Sequence, residues 1–75
     1  MRIDIYSKED CPYCQFAKEY LEMNDRVYTT YMLGRDFNRD DVVKQFPTAR
    51  SFPIVVIDNE YIGGFNELKQ YFSNS

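Results

Sequence analysis

Two cysteines, Cys11 and Cys14, are the residues whose type and spacing point most directly to chemistry. They enclose Pro12 and Tyr13, and the segment lies where a predicted strand leads into a predicted helix. A thiol at a helix start lies over unpaired backbone N–H groups and the positive end of the helix dipole, and thiol pKa values of about 3.5 to 7.5 are found at such sites. The spacing therefore predicts a redox dithiol in which Cys11 attacks and Cys14, one turn deeper and nearer the core, resolves.

The complete absence of histidine excludes several other kinds of site. No Ser-His or Cys-His nucleophile pair can form, and no imidazole can serve as a general base. A zinc site would need two thiolates together with carboxylates, so we expect no metal. The alternatives to a redox pair are a structural disulfide, whose loop is so short that its entropic gain is small, and two inert buried cysteines.

Length and composition predict one domain over residues 1–75. A domain of this size buries only about 60% of its unfolded surface, so the 44% of hydrophobic residues must form a dense core. The formal net charge is −3 and the basic residues are scattered, which argues against nucleic acid and anionic membranes as partners. Since the apolar run Ile54–Ile57 is too short to span a bilayer and no apolar export segment follows Met1, we expect a cytoplasmic monomer.

Apolar periodicity and turn residues predict seven elements in the order β-α-β-α-β-β-α. This order favours an α/β fold with a four-stranded mixed sheet and helices on both faces. The wholly apolar strand should be central, and the strand after it should lie at an edge. The predicted elements are strand Met1–Tyr6, helix Pro12–Met23, strand Val27–Leu33, helix Arg39–Phe46, strand Pro53–Ile57, strand Glu60–Ile62 and helix Phe65–Phe72.

Each predicted helix carries an apolar stripe that should face the sheet. Asn38 is the expected N-cap of the second helix, and Pro47 should end it. The inward-facing side chains predicted for the three helices in turn are Phe16, Ala17, Tyr20 and Leu21; Val42, Val43 and Phe46; and Phe65, Leu68, Tyr71 and Phe72.

Three segments, in this order and spacing, resemble the dithiol glutaredoxin family. The first is the Cys-Pro-Tyr-Cys segment, and the second, Ala49–Pro53, is similar to the family's Ala-Arg-Thr-Val-Pro stretch. The third, Ile62–Leu68, is similar to Ile-Gly-Gly-x-Asp-Asp-Leu at the start of the last helix. The resemblance covers essentially the whole chain. It implies a thioredoxin-like fold and a glutathione-dependent thiol-disulfide oxidoreductase with no bound cofactor.

The resemblance also implies a glutathione cleft beside the cysteines. Pro53 would be cis and would leave the Phe52 backbone free to pair with glutathione like an added strand. Gly64 would allow close approach, and the N–H groups of Phe65 and Asn66 would bind the γ-glutamyl carboxylate. The implied glutathione-binding residues are Lys8, Tyr13, Ser51, Phe52, Pro53, Gly64, Phe65 and Asn66.

Some of these residues also have simpler interpretations. Pro53 could merely begin a strand, and Gly63-Gly64 could be an ordinary turn before a helix. Lys8 would reach the glycyl carboxylate, whereas Arg39 is either a second contact or a solvated surface side chain.

Departures from the family pattern leave the electron source open. The family usually has Asp where this chain has Asn66, so the charge that faces the amino group of glutathione is missing. Phe65 and Phe52 also replace smaller residues and could narrow the cleft. We expect disulfide-bearing protein substrates, ribonucleotide reductase among those that the resemblance suggests. The alternatives are reduction by thioredoxin reductase and a non-catalytic iron–sulfur module that uses Cys11 and glutathione.

Overall fold

A four-stranded mixed sheet flanked by three helices forms the protein in a computed structural model, which describes residues 1–73. The predicted element order is confirmed, with strand boundaries that differ from the prediction by at most two residues. The elements are β1 (Ile3–Ser7), α1 (Pro12–Met23), β2 (Thr29–Met32), α2 (Arg39–Gln45), β3 (Ile54–Ile57), β4 (Glu60–Gly63) and α3 (Phe65–Ser73).

The strand order β2-β1-β3-β4 places β1 and β3 in the centre of the sheet. Ile5 of β1 pairs with Thr30 in parallel and with Val55 in the antiparallel direction. The parallel pair is connected through α1, as a crossover requires, and β3 and β4 form an edge hairpin. The cysteines follow the carboxyl end of β1, a strand that is hydrogen-bonded to a neighbour on each side.

The two faces of the sheet carry separate hydrophobic clusters, because side chains alternate along a strand. Val55 and Ile57 pack with the buried residues of α1 and α3. Ile54 and Val56 face the other way and pack with Val42 and Phe46. The chain therefore has α1 and α3 on one face and α2 on the other, as the element order predicts.

Several apolar residues expected in the core are exposed instead. Val43 is 61% exposed, because a helix as short as α2 presents one row, here Val42 and Phe46, to the sheet. Phe16 is 46% exposed and packs on other aromatic rings, and Tyr71 also reaches the surface. Val27 is 88% exposed because β2 begins only at Thr29. The prediction that Phe16, Val43 and Tyr71 face the core is wrong. The prediction that the second strand begins at Val27 is also wrong.

Local capping sets the starts of α1 and α2. The Cys11 side chain caps α1, with Pro12 in its first turn. Asn38 caps α2 as predicted, through a reciprocal pair in which each of Asn38 and Asp41 accepts the other's backbone N–H. No helix within residues 1–73 is long and apolar enough to cross a membrane.

A tyrosine between α1 and β2 should make stability depend on pH in alkaline solution. Burial, with a hydrogen bond to Glu22, raises the pKa of Tyr28 from 10.0 to about 12. The folded state therefore holds this proton more tightly than the unfolded state. Its contribution is complete below about pH 10 and is lost as the pH rises towards about 12. Denaturant unfolding from pH 9 to 11.5 should show a smaller loss of stability in Tyr28→Phe than in the wild type, and parallel curves would contradict this.

Candidate active site

The two cysteines form a disulfide at the start of α1. Their Cα atoms are 5.3 Å apart, and Cys11 has the extended backbone (φ −121°) of a residue that precedes a helix. The backbone N–H of Cys14 donates a hydrogen bond to Cys11 Sγ across 3.2 Å. Cys11 is half-buried, whereas Cys14 is only 2% exposed. The predicted placement, with an outer sulfur at the helix start and a deeper partner, is confirmed.

This geometry favours negative charge on the outer sulfur. An N–H group aimed at Cys11 Sγ stabilises the thiolate more than the thiol, and the unpaired N–H groups of the first helical turn act in the same direction. Cys14 lies in the apolar interior, which disfavours ionisation. The arrangement can therefore support attack from Cys11 followed by displacement from Cys14.

A cavity of about 300 Å³ opens beside the disulfide. Every predicted glutathione-binding residue except Lys8 lines it, together with one residue that was not predicted, Glu67. Its lining residues are Tyr13, Ser51, Phe52, Pro53, Gly64, Phe65, Asn66 and Glu67.

One wall of the cavity is the loop that precedes β3. The Phe52–Pro53 peptide bond is cis, as the resemblance implies. The backbone N–H and C=O of Phe52 have no hydrogen-bond partner within residues 1–73. This wall therefore offers a free donor and a free acceptor on one peptide backbone.

The opposite wall is the start of α3. The N–H groups of Phe65 and Asn66 precede the first helical hydrogen bond, from Leu68 N–H to Gly64 C=O, and have no partner in the described chain. Glu67 reaches back, and its Oε1 accepts a hydrogen bond from Gly64 N–H at 2.7 Å. A Glu three residues after the residue that precedes a helix is a capping signal that the sequence contains, so this residue could have been found.

Lys8 lies near the Phe52 ring but does not line this cavity. Its Nζ is 6.0 Å from the Phe52 ring centroid. It lines a second cavity of about 350 Å³ together with Arg39 and Arg50, and the two cavities share Ser51 and Phe52. The sequence left Arg39 undecided and did not single out Arg50. The structure brings both to a basic cavity next to the cleft.

Within residues 1–73, no group of three or more His, Cys, Asp or Glu side chains is placed to hold an ion. Cys11 Sγ accepts a hydrogen bond from the Cys14 backbone N–H, which suits disulfide exchange.

The mixed sheet, the dithiol at a helix start and the cis proline beside it define a thioredoxin-like redox fold. Residues 3–62 match the family model of glutaredoxin, and the chain belongs to the glutaredoxin family. It is therefore a thiol-disulfide oxidoreductase of that family.

Individual relatives agree with this assignment over most of their length. Glutaredoxin 3 of Escherichia coli K12 is 31% identical over 67 residues, which are 88% of this chain and 80% of that protein. Glutaredoxin 1 of Francisella tularensis, solved as a cacodylate complex, superposes with a TM-score of 0.83 at 28% identity and covers 97% of this chain and 93% of its own. The buckwheat glutaredoxin–glutathione complex shares the fold, with a TM-score of 0.81 at 24% identity over 96% of this chain and 68% of that one.

Proposed function

We propose that the protein is a dithiol oxidoreductase that uses glutathione as its reductant and reduces protein disulfides and glutathione mixed disulfides. The observation that carries this proposal is the set of free backbone groups on the two walls of the cleft, at Phe52 and at Phe65–Asn66. A γ-glutamyl tripeptide has a peptide backbone for the first wall and a carboxylate for the second.

The proposed reaction begins with attack of the Cys11 thiolate on a substrate disulfide. One substrate thiolate leaves and takes up a proton, and a mixed disulfide forms on Cys11. The Cys14 thiol then loses its proton and attacks Cys11 Sγ, which releases the second substrate thiol and forms the Cys11–Cys14 disulfide. In total the substrate gains two electrons from the protein and two protons, one from the Cys14 thiol and one from solvent, because Cys11 reacts as a thiolate.

Two glutathione molecules would restore the dithiol. The first attacks Cys11 Sγ, frees Cys14 as a thiol and leaves glutathione bonded to Cys11. The second attacks the sulfur of the bound glutathione, so that glutathione disulfide leaves and Cys11 returns to the thiolate. Tyr13 and Ser51 would line the path of the tripeptide, and Pro53 would hold the Phe52 backbone towards it. Lys8 would reach the glycyl carboxylate across the shared residues of the two cavities.

The electron source is tested by supplying one reductant system at a time. We expect reduction of a glutathione mixed disulfide with glutathione, glutathione reductase and NADPH. The second mixture contains thioredoxin reductase and NADPH, without glutathione and glutathione reductase. Activity in the second mixture alone would overturn glutathione as the reductant. Ribonucleotide reductase, which only the family resemblance suggests, would be tested as a protein substrate in the successful mixture. A coloured protein after anaerobic purification would favour the iron–sulfur alternative.

Charge in the cleft should set the affinity for glutathione. Asn66 brings no charge, but the Glu67 carboxylate lies in the same cavity and can attract the glutathione amino group. Glu67→Gln keeps an oxygen acceptor for Gly64 N–H and removes the charge. We expect this change to raise the KM for glutathione about threefold or more, and Asn66→Asp to lower it by a similar factor.

The matched control for this charge is Glu60→Gln, an exposed carboxylate on the edge strand and outside the cavity. Its KM for glutathione should equal that of the wild type. A KM that does not respond to either Glu67→Gln or Asn66→Asp would show that the amino group binds elsewhere.

A further inference from the structure

Three aromatic rings near the disulfide contact one another, and we call them the aromatic triad: Tyr13, Phe16 and Phe65. The ring centroids are 5.7 Å apart for Tyr13 and Phe16, 6.0 Å for Phe16 and Phe65, and 6.2 Å for Tyr13 and Phe65. Two of the rings belong to α1 and the third opens α3. The triad therefore joins the two helices at the end of the molecule where the cysteines lie.

The triad is exposed although it is apolar. Tyr13 is 59% exposed and Phe16 is 46% exposed, while Phe65 is partly buried. Tyr13 and Phe65 line the cleft, but Phe16 does not line it. Occupation of the cleft by a small polar tripeptide would thus leave Phe16 in water. Clustered exposed aromatic side chains are typical of protein interaction sites.

A cation lies over the same group. Lys69 Nζ is 4.7 Å from the Phe65 ring centroid. Within residues 1–73, the ion pairs join Arg2 to Asp4 and Arg35 to Asp36, so no described carboxylate neutralises Lys69. Lys69 therefore places one positive charge over the Phe65 ring of the triad, whereas the Glu67 carboxylate lies on the cleft side of the same helix.

We propose that the aromatic triad is the docking site for the polypeptide of a protein substrate, and that it selects an aromatic or large aliphatic side chain followed by an acidic residue. The proposal rests on the proposed function, because it requires the substrate sulfur to bond to Cys11. That bond holds the substrate next to the triad, because Tyr13 is only two residues from Cys11. The docking surface is therefore continuous with the reaction site.

The spacing of the selected residue follows from helix and strand dimensions. Phe16 is five residues along α1 from Cys11, which is about 7.5 Å along the helix axis. An extended substrate covers about 3.3 to 3.6 Å per residue. A side chain two or three residues from the substrate cysteine would reach the triad, and an acidic residue next to it would approach Lys69.

The test uses two peptide disulfides and the fully reduced protein, so that no external reductant is needed. The first peptide has Phe three residues before and after a single Cys, with Glu beyond each Phe, and is linked to a second copy through its Cys. The second peptide has Ala and Gln at those positions. We expect the first disulfide to be reduced about tenfold faster, since buried aromatic and charged contacts dominate protein interfaces.

Variants assign the preference to the triad. Phe16→Ala should lower the rate ratio of the two peptides at least about fivefold, and Phe16→Leu should lower it less. Val27→Ala, a change at an apolar residue that is 88% exposed and lines neither cavity, should leave the ratio unchanged. Lys69→Glu should favour a third peptide with Lys in place of Glu. Reduction of bis(2-hydroxyethyl) disulfide, which has no side chains to dock, should be the same in Phe16→Ala and the wild type.

Each contrary result has a separate meaning. Equal rates for the first two peptides, or an unchanged preference in Phe16→Ala, would overturn docking and leave the proposed function intact. If Phe16→Ala lowers the rate of reduction equally for all disulfides, the docking proposal is also overturned, because the change would then act on Cys11. A wild-type dimer that Phe16→Ala dissociates in sedimentation would assign the triad to self-association. Failure of the wild type to reduce any disulfide would overturn the proposed function itself.

Discussion

Cys11→Ser should abolish reduction of every disulfide, whereas Cys14→Ser should keep the reduction of glutathione mixed disulfides and lose that of protein disulfides. The first change removes the nucleophile, and we expect a loss of at least about three orders of magnitude. The second change leaves the outer sulfur and its helix-start environment in place. Glutathione can then resolve the Cys11–glutathione intermediate, but nothing internal can release a protein substrate.

The difference between the two variants follows from depth and from the hydrogen bond at the helix start. Cys11 is half-buried, and its Sγ accepts a hydrogen bond from the Cys14 N–H. The Ser variant at position 14 retains this bond because the donor belongs to the backbone. Cys14 is buried and can approach only a sulfur already bonded to Cys11. Turnover would be measured on a glutathione mixed disulfide and on a disulfide-bonded protein. Equal damage from both changes on the first substrate would contradict the assigned roles.

Alkylation of the reduced protein gives an independent check on the same assignment. At pH 7, iodoacetamide should label Cys11 much faster than Cys14, because the thiolate is the reacting species. Mass spectrometry of the labelled protein would identify the modified residue. Similar labelling rates for the two thiols would remove the electrostatic basis of the mechanism.

The sequence predicts the sheet well because its strands are short and strongly patterned. Ile54–Ile57 is wholly apolar, and a strand with that pattern has to be covered on both faces. The position of Cys11 as the cap of α1 was also predictable, since Pro12 can only begin a helix, not continue one. Both features depend on residues that are close in the sequence, which is why the sequence predicts them.

Side-chain exposure was less predictable because it depends on how many rows of a helix find a partner. Phe16 and Val43 have the periodicity of core residues, yet the sheet is narrow and other residues already fill its faces. Periodicity gives the direction of a side chain on its helix, but it does not give the extent of the surface that this helix covers. For the same reason the sequence did not predict the aromatic triad.

The candidate site shows a similar division. The cleft residues were predicted from the family resemblance, whereas the placement of Lys8 on the second cavity depends on tertiary packing. Glu67 was missed although its spacing from Gly64 is a local capping signal. Asn66 alone implies that the cleft lacks a negative charge for the glutathione amino group. The Glu67 carboxylate lies in the same cavity and supplies one.

Gly63→Ala should destabilise the protein by about 3 kcal/mol, which for a domain of this size lowers Tm by about 12 to 24 °C. Gly63 has φ +139°, where a side chain is strained. A Cβ there would also lie 2.5 Å from Glu67 Cγ and 2.7 Å from Glu67 Cβ. These atoms are the near end of the Glu67 side chain, so rotation of its carboxylate cannot relieve the contact and the start of α3 has to move.

Gly34→Ala separates the two causes, because Gly34 also has a positive φ, +90°, but a Cβ there would meet nothing within 4 Å. Its cost should be that of the backbone alone, about 1 to 2 kcal/mol. The excess cost at Gly63 then measures the clash with Glu67. That clash should also separate Glu67 from Gly64 N–H, so the KM for glutathione should rise in Gly63→Ala and stay unchanged in Gly34→Ala. Thermal unfolding would give the stabilities, and equal Tm values with equal KM values would show that the Glu67 contact neither constrains α3 nor shapes the cleft.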